Sequence, residues 1–415
     1  VKTLFLFLGL LFAISPAGAA SPTASLHLMT YQSWGYTVDS TEQGARVREI
    51  LQRAKDSGFG EVIFNFRGFM VTGKSANIKS SVAPDHQATE ERLLGETVKF
   101  AQGLGLRVAF RPILLVVGPK GEFPYGEKGV TWWHGNIEPR DVDAWFEAFF
   151  RYHERYLRLA SSLGVSWYSI GAEMHSMTSG RGSRAGGFRY GFPEKWVSLI
   201  GRAKAILGPQ VKITYGINYT DQNVRDGGSV VLGGEMKQWH VYMTTTPANK
   251  EEKRVQEGLQ QLWAALDIVG IDYYRALASG RRFPGEFEPL AALLTERTSS
   301  HASQLDTMVT ELDLLTGRES RVFLQELGYR SVTNSFLSPA SYEERGGEVN
   351  PLHQAAAWEA VLRGYWDPGW PWMEGLGAWQ VLVDENIGAR KNGFSPLGNE
   401  LTERAFRARG LPTAF

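Results

Sequence analysis

The chain contains no cysteine. That excludes disulfides, thiolate metal ligands, a cysteine nucleophile and lipid attachment at a lipoprotein-type cysteine. It also lacks any charge excess. Lys+Arg and Asp+Glu both number 44, for a formal net charge of zero, which argues against a nucleic-acid partner and against electrostatic docking on a membrane. Beyond the first twenty residues no segment approaches the roughly 18 uninterrupted apolar residues of a membrane span. The phosphate-cradling GxGxxG and GxxxxGK[ST] loops, HExxH and the EF-hand pattern are all missing. So is the G-x-S-x-G elbow of serine hydrolases. The expectation is therefore a protein with no metal and no cofactor, and no stable membrane insertion once its leader is removed. Oligomeric state is left open.

The one apolar run lies at the start. Lys2 precedes an apolar stretch over residues 4–14, and Ala17-Gly18-Ala19 supplies a small-x-small cleavage site. This is the pattern of a secretory signal, too short to span a bilayer comfortably. The reading is a signal peptide over 1–19, a single catalytic domain over 20–415, and export to a periplasm or the exterior.

What the chain does have is length and order. Its 415 residues are 43% hydrophobic and 21% charged, an ordinary globular balance. Short β-branched and aromatic runs fall at 26–31, 61–66, 106–113, 167–172, 211–217, 266–272, 322–325 and 376–382. Between them, three-to-four-residue apolar spacing predicts helices over 41–56, 90–104, 142–163, 194–207, 252–265, 289–296, 352–363 and 399–408. Three joints, AKDSGFGEVIF, AQGLGLRVAF and ASSLGVSWYSI, end a helix at glycine and enter a strand within a few residues. Eight β-then-α units in series predict an α/β fold, a (β/α)8 TIM barrel with loop insertions, over an open doubly wound sheet. Residues 220–250, 299–319 and 331–351 exceed a minimal barrel. They are expected to be insertions, the first and third at the strand ends where barrels build their sites.

Two carboxylates stand out. The fourth strand ends Ile170-Gly-Ala-Glu173 and the seventh ends Leu324-Gln-Glu326. Both should project into one barrel mouth from opposite sides, flanking one bond. Glycoside cleavage needs such a pair, one carboxyl protonated to donate to the leaving oxygen and one ionised to attack carbon. On spacing alone, capping a helix or pairing with an arginine such as Arg330 is the favoured account of either residue.

Longer motifs decide between these. The stretch TWWHGNIEPRDVDAWFEAFFRYHERYLRLASSLGVSWYSIGAEM resembles the region leading to the acid/base of glycoside hydrolase family 113, a clan-A family whose characterised members are β-mannanases. Trp133-His-Gly135-Asn-Ile137, Trp145-Phe146 and Ile170-Gly171-Ala-Glu173 carry the likeness. WAALDIVGIDYYRAL resembles that family's sixth strand and QELGYRS its nucleophile strand. The resemblance covers most of the chain from about residue 28 onward, interrupted by the insertions. It implies Glu173 as acid/base, Glu326 as nucleophile and Tyr274 as a hydroxyl beside the nucleophile. It also implies Trp379 as a sugar platform and Arg111 as a group reaching a sugar hydroxyl. Arg67 is a second cationic candidate, and Trp34, Trp133 and His175 are further substrate contacts, aromatic faces suiting sugar C–H surfaces.

The departures bear on substrate. Clan-A barrels commonly carry Asn before the acid/base, where it binds the sugar 2-hydroxyl, and here Ala172 stands there. The histidine of a strand-three Lys-Pro-His element is replaced by Ile113. Glu235, in VVLGGEM, mimics the context of Glu173 and is a competing acid that could line the cleft. The reading is an exported retaining glycoside hydrolase acting on a β-linked polysaccharide, β-1,4-mannan foremost. The alternatives are a hydrolase of peptidoglycan or another amino-sugar polymer, or a non-catalytic carbohydrate-binding barrel.

Overall fold

The computed structural model describes residues 22–127, 129–182, 188–226, 229–341 and 346–410. The expected signal segment, 1–19, lies outside them. Eight parallel strands close on themselves: β1 (Thr23–Met29), β2 (Glu61–Met70), β3 (Arg107–Val116), β4 (Trp167–Ala172), β5 (Lys212–Thr220), β6 (Ile268–Tyr274), β7 (Val322–Leu327) and β8 (Met373–Leu382). Closure is set by β1, which pairs with β8 through Thr23↔Gly375 and with β2 through Ser25↔Glu61. This is the (β/α)8 barrel that the sequence predicts.

Helices cover the outside. In α1 (Glu42–Asp56) Val47, Ile50, Leu51 and Ala54 form the buried stripe and Thr41 caps the first turn. Each such aliphatic side chain contributes about 1.5–3 kcal/mol on burial. In α2 (Val142–Leu163) Trp145, Phe149, Tyr152 and Tyr156 repeat the pattern, and Gly164 ends the helix at φ 62°, the left-handed position that glycine takes without penalty.

One expected insertion is not one. Residues 299–319 continue the preceding helix, α3, which runs unbroken over Phe287–Thr316. Its apolar stripe carries on through Leu294, Leu305, Val309 and Leu312. The polar stretch that seemed to end it is accommodated by back-bonding: the hydroxyls of Thr295, Thr298 and Ser303 donate to the carbonyls of Ala291, Leu294 and Ser299. The other two are real excursions. After β5 come paired strands Asn223–Asp226 and Ser229–Leu232 and then α4 (Gly234–Thr244). After β7 the described part holds a turn at Ser335–Leu337 and a bridge from Val332 to Val349. Among the described residues no helix is long and apolar enough to cross a membrane.

The barrel interior is layered. Ile63, Ala109, Trp167, Ile268 and Phe323 form an apolar plug at the strand starts. Above it lies an uncharged polar layer. His27 Nε2 is 2.7 Å from the Gln325 carbonyl, Gln325 accepts from Thr214 at 3.2 Å, and the Gln325 amide donates to Ser169 at 3.1 Å. Above that, at the mouth, come the charged groups.

Candidate active site

Both glutamates follow an irregularity in their strand. Between Ser169 and Ala172 β4 advances three residues while β5 advances two, from Thr214 to Gly216. Between Phe323 and Glu326 β7 advances three while β6 advances two, from Gly270 to Asp272. Such an extra residue breaks the in-out alternation and re-aims the next side chain. Glu173 lies one residue beyond β4 at φ 53°. That conformation is uncommon for a residue with a Cβ and is held by the 2.8 Å bond from its N–H to the Gly216 carbonyl. Gly216 is itself required: a Cβ there would sit 2.6 Å from the Asp272 carboxylate.

Glu326 is clamped. Tyr274 donates to its Oε1 at 2.8 Å, and the Arg111 guanidinium donates to its Oε2. Arg111 also reaches Asp272 Oδ2 at 3.3 Å and Asn65 Oδ1 at 3.3 Å, and its guanidinium lies 5.6 Å from the centre of the Trp379 ring. Glu173 is held by different groups. Asn218 donates to its Oε1, and His134 Nε2 stands 3.5 Å from its Oε2.

Burial pushes both carboxyls up. At Glu326 it prevails over the Arg111 cation, the Glu173 charge adds to it, and the group ends above its ordinary range. At Glu173 the hydrogen bond and charge of His134, then Asn218, outweigh burial and leave the group low. That order is the reverse of what proton donation by Glu173 needs. The hydrogen bonds at Glu326 speak for the opposite assignment. A guanidinium has no acceptor capacity, so its bond to Oε2 favours the ionised form of Glu326. Asp272, fully buried beneath, is held well above its usual range by burial first, with Arg111 opposing and the Glu326 and Glu173 charges adding.

Of the other expected residues, Tyr274 stands where the resemblance implies. Trp379 is 7% exposed and packs edge-on to His27 with centroids 5.2 Å apart, a floor beneath Arg111. Trp133, half-buried, lies beside Glu173 through edge contacts with His134 and His175. Trp34 and Arg67 line a pocket at the ends of β1 and β2 together with Asn65, and Arg67 lies over the rings of Tyr31 and Phe69.

Four expectations change. Arg111 is 4% exposed, its Nη2 donating to Glu326 and Asp272 and its Nη1 to Asn65, so it holds Glu326 where contact with a sugar hydroxyl was expected. His175 is buried behind Glu173, 3.9 Å from Glu235, and burial holds its pKa down to about 4. Glu235 neither lines the cleft nor competes as the acid. It is fully buried and accepts from Thr178, from Trp239 at 3.2 Å and from Tyr215 at 3.3 Å, pinning the first turn of α4 to the barrel. Arg330 binds the Asn392 and Gly346 carbonyls, not Glu326.

Sequence reasoning missed His134, Asn218, Asp272 and Asn65. Asp272 and His134 sit inside the quoted motifs as unassigned positions. Asn218 could have been found as an amide at the end of a barrel strand, the same signal that exposed the glutamates.

Paired glutamates thus stand at opposite strand ends of a closed (β/α)8 barrel, one of them gripped by arginine and tyrosine. Residues 29–184 match the profile of Glycoside Hydrolase Family 113, and residues 148–289 match the GTA TIM-barrel-like domain. The family match includes Glu173 and ends before Glu326. A solved family 113 β-1,4-mannanase, determined as a complex, shares 17% identity, covers 94% of this chain and 98% of its own, and gives a TM-score of 0.60. The family 113 β-mannanase of Alicyclobacillus acidocaldarius, in complex with ManMIm, shares 16% identity over 94% and 96% of the two chains, with a TM-score of 0.60. At these identities the likeness is one of fold. No curated protein matches the chain by sequence.

Proposed function

We propose that the chain is an exported, retaining hydrolase of β-1,4-mannan, with Glu326 as nucleophile and Glu173 as acid/base. The observation that carries this reading is the Arg111–Glu326–Tyr274 clamp facing Glu173 across the barrel mouth. Glu326 attacks the anomeric carbon as the bond to the leaving oxygen breaks, and Glu173 protonates that oxygen. Water then attacks the glycosyl-enzyme, giving its proton to Glu173 and releasing Glu326. Two inversions leave the configuration unchanged. The mannan-active fold neighbours and the aromatic rings of Trp133 and Trp34 support a β-linked polysaccharide, and a leader over 1–19 would deliver the enzyme to one.

The test is release of reducing ends from mannan, glucomannan and other β-glycans by the wild type, Glu173→Gln and Glu326→Gln, with the anomer of the first product read by NMR. Loss of at least a thousandfold in each variant and a β-configured product are expected. Undiminished turnover in either variant, or an α-product, would sink the mechanism. Ala172 favours a second reading, a different glycan such as an amino-sugar polymer. Inert mannan alongside cleaved peptidoglycan in the same screen would select it.

A further inference from the structure

We infer that His134 shares the acid proton of Glu173, so that the proton donor is a Glu173–His134 pair instead of a lone carboxyl. The inference rests on the acid/base reading of Glu173 and adds to it a residue from a different segment of the chain.

The geometry is built from the turn His134–Asn136, which follows the paired strands Tyr125–Glu127 and Val130–Trp132. Asn136 fixes the turn, accepting from the Trp133 N–H at 2.9 Å and donating to the Thr131 carbonyl at 2.9 Å. Gly135 presses on the acid: a Cβ there would lie 2.6 Å from the Glu173 carbonyl oxygen. The imidazole is thereby brought between β3 and Glu173, with Nδ1 3.1 Å from the carbonyl of Leu114. Leu114 follows Ile113, the position where the resemblance implied a histidine. A histidine returns here from another element.

A carbonyl can only accept, so Nδ1 carries hydrogen. Nε2 is the remaining nitrogen. It is buried and faces Glu173 Oε2 at 3.5 Å. Two facing lone pairs in a buried site repel, so one proton belongs between them. It sits on Nε2 beside a carboxylate or on Oε2 beside a neutral imidazole, and the pair has the same total charge either way. Donation to the glycosidic oxygen takes one proton from the pair, and the attacking water restores it. The other titratable groups acting on this pair include His175 on the following turn, Glu326 on β7, Asp272 on β6, Glu235 on α4 and Arg111 on β3, with Arg181 acting on His175.

The sign of the pH effect follows from coupled titration. A pair loses its last proton at a pH no lower than either member alone. Removing His134 therefore moves the alkaline limb of kcat/KM to lower pH. On β-1,4-mannooligosaccharides, His134→Gln should shift that limb down by about one unit, a tenfold loss on the alkaline side, with a smaller change on the acid side. A purely structural His134 would lower the whole curve and leave the limb in place, and that result overturns the inference. A second readout needs neither a substrate nor a His134 variant. In protein labelled with 15N-histidine, His134 should show hydrogen on Nδ1, and its Nε2 signal should move in Glu173→Gln. A bare Nδ1, or an Nε2 indifferent to Glu173→Gln, overturns the pairing. Retained hydrolysis by Glu173→Gln would instead refute the acid/base reading, so the two failures are distinct.

Discussion

Replacing Arg111 by Met tests how Glu326, the proposed nucleophile, is kept ionised. Arg111 is the cation between two buried carboxylates, Asp272 at 3.3 Å and Glu326. Met is of similar length and uncharged, so the substitution removes charge more than volume. Breaking a buried ion pair from one side costs about 3–5 kcal/mol when the partner charge stays unpaired. Here the partners can respond by taking up protons, and each unit of pKa rise is worth about 1.4 kcal/mol. The loss of stability is therefore smaller at low pH, where both carboxyls are neutral, and largest above neutrality. The sign for activity is also fixed. Burial already holds Glu326 high and Arg111 pulls it back. Without the cation Glu326 ionises at higher pH, and since it must be ionised to attack, the acid limb of kcat/KM moves toward alkaline pH by roughly 1–3 units. The assay is kcat/KM on β-1,4-mannooligosaccharides across the pH range in which wild type and variant stay folded, with thermal unfolding followed at the same pH values. A uniform fall in rate with an unmoved acid limb would refute the argument, because Arg111 would then not govern the protonation of Glu326.

Tyr274→Phe removes the 2.8 Å hydrogen bond to Glu326. A bond to a charged group is worth about 1.5–3 kcal/mol, so kcat/KM should fall roughly 10- to 150-fold with little change in unfolding temperature; an unchanged rate would show that the phenol does not hold the attacking form. Glu235→Gln tests a stability linkage. Burial first, with the Glu173 charge adding, lifts Glu235 to about 7 against its hydrogen bonds from Thr178, Asn218 and Trp239. The folded state then keeps a proton that the unfolded chain has lost, so this group's contribution is most favourable at acid pH and declines as pH rises from about 4.5 to about 7. Wild type should lose up to about 3 kcal/mol more than Glu235→Gln across that window, read by denaturant unfolding. Parallel pH dependences would count against it.

The barrel was legible because each of its units repeats the same physics. The spans 142–163 and 167–172 agree with the observed helix and strand at both ends, and the Asp141 cap and Gly164 mark the helix ends. Strands β2 and β3 run on to Met70 and Val116 because they keep pairing above the mouth, through Phe69↔Leu115 and Met70↔Val116. No local pattern announces that register. The same limit applies to the site. Glu173 and Glu326 could be read from strand ends, and Tyr274 from its motif. That Arg111 would turn to Glu326 required knowing that β3, β6 and β7 converge, and that His134 would reach Glu173 depended on a turn returning over Leu114.

Asn218 ties these observations to the substitution at Ala172. Where the resemblance leads one to expect an amide beside the acid and directed at the sugar, this chain has a methyl group. An amide is present nearby, but Asn218 donates its Nδ2 to Glu173 and accepts from Thr220 on Oδ1 at 2.8 Å. Both ends are committed, so it cannot turn to a 2-hydroxyl without releasing Glu173. Its N–H favours the ionised form of Glu173, which by itself works against donation. A carboxylate held in this way functions as an acid only with a proton source within reach, and the buried Nε2 of His134 is the group so placed. Asn218 and His134 thus face the two oxygens of Glu173 in a site where position 172 offers no amide. A variant restoring Asn at position 172 would give the sugar a contact while leaving the His134 partnership in place.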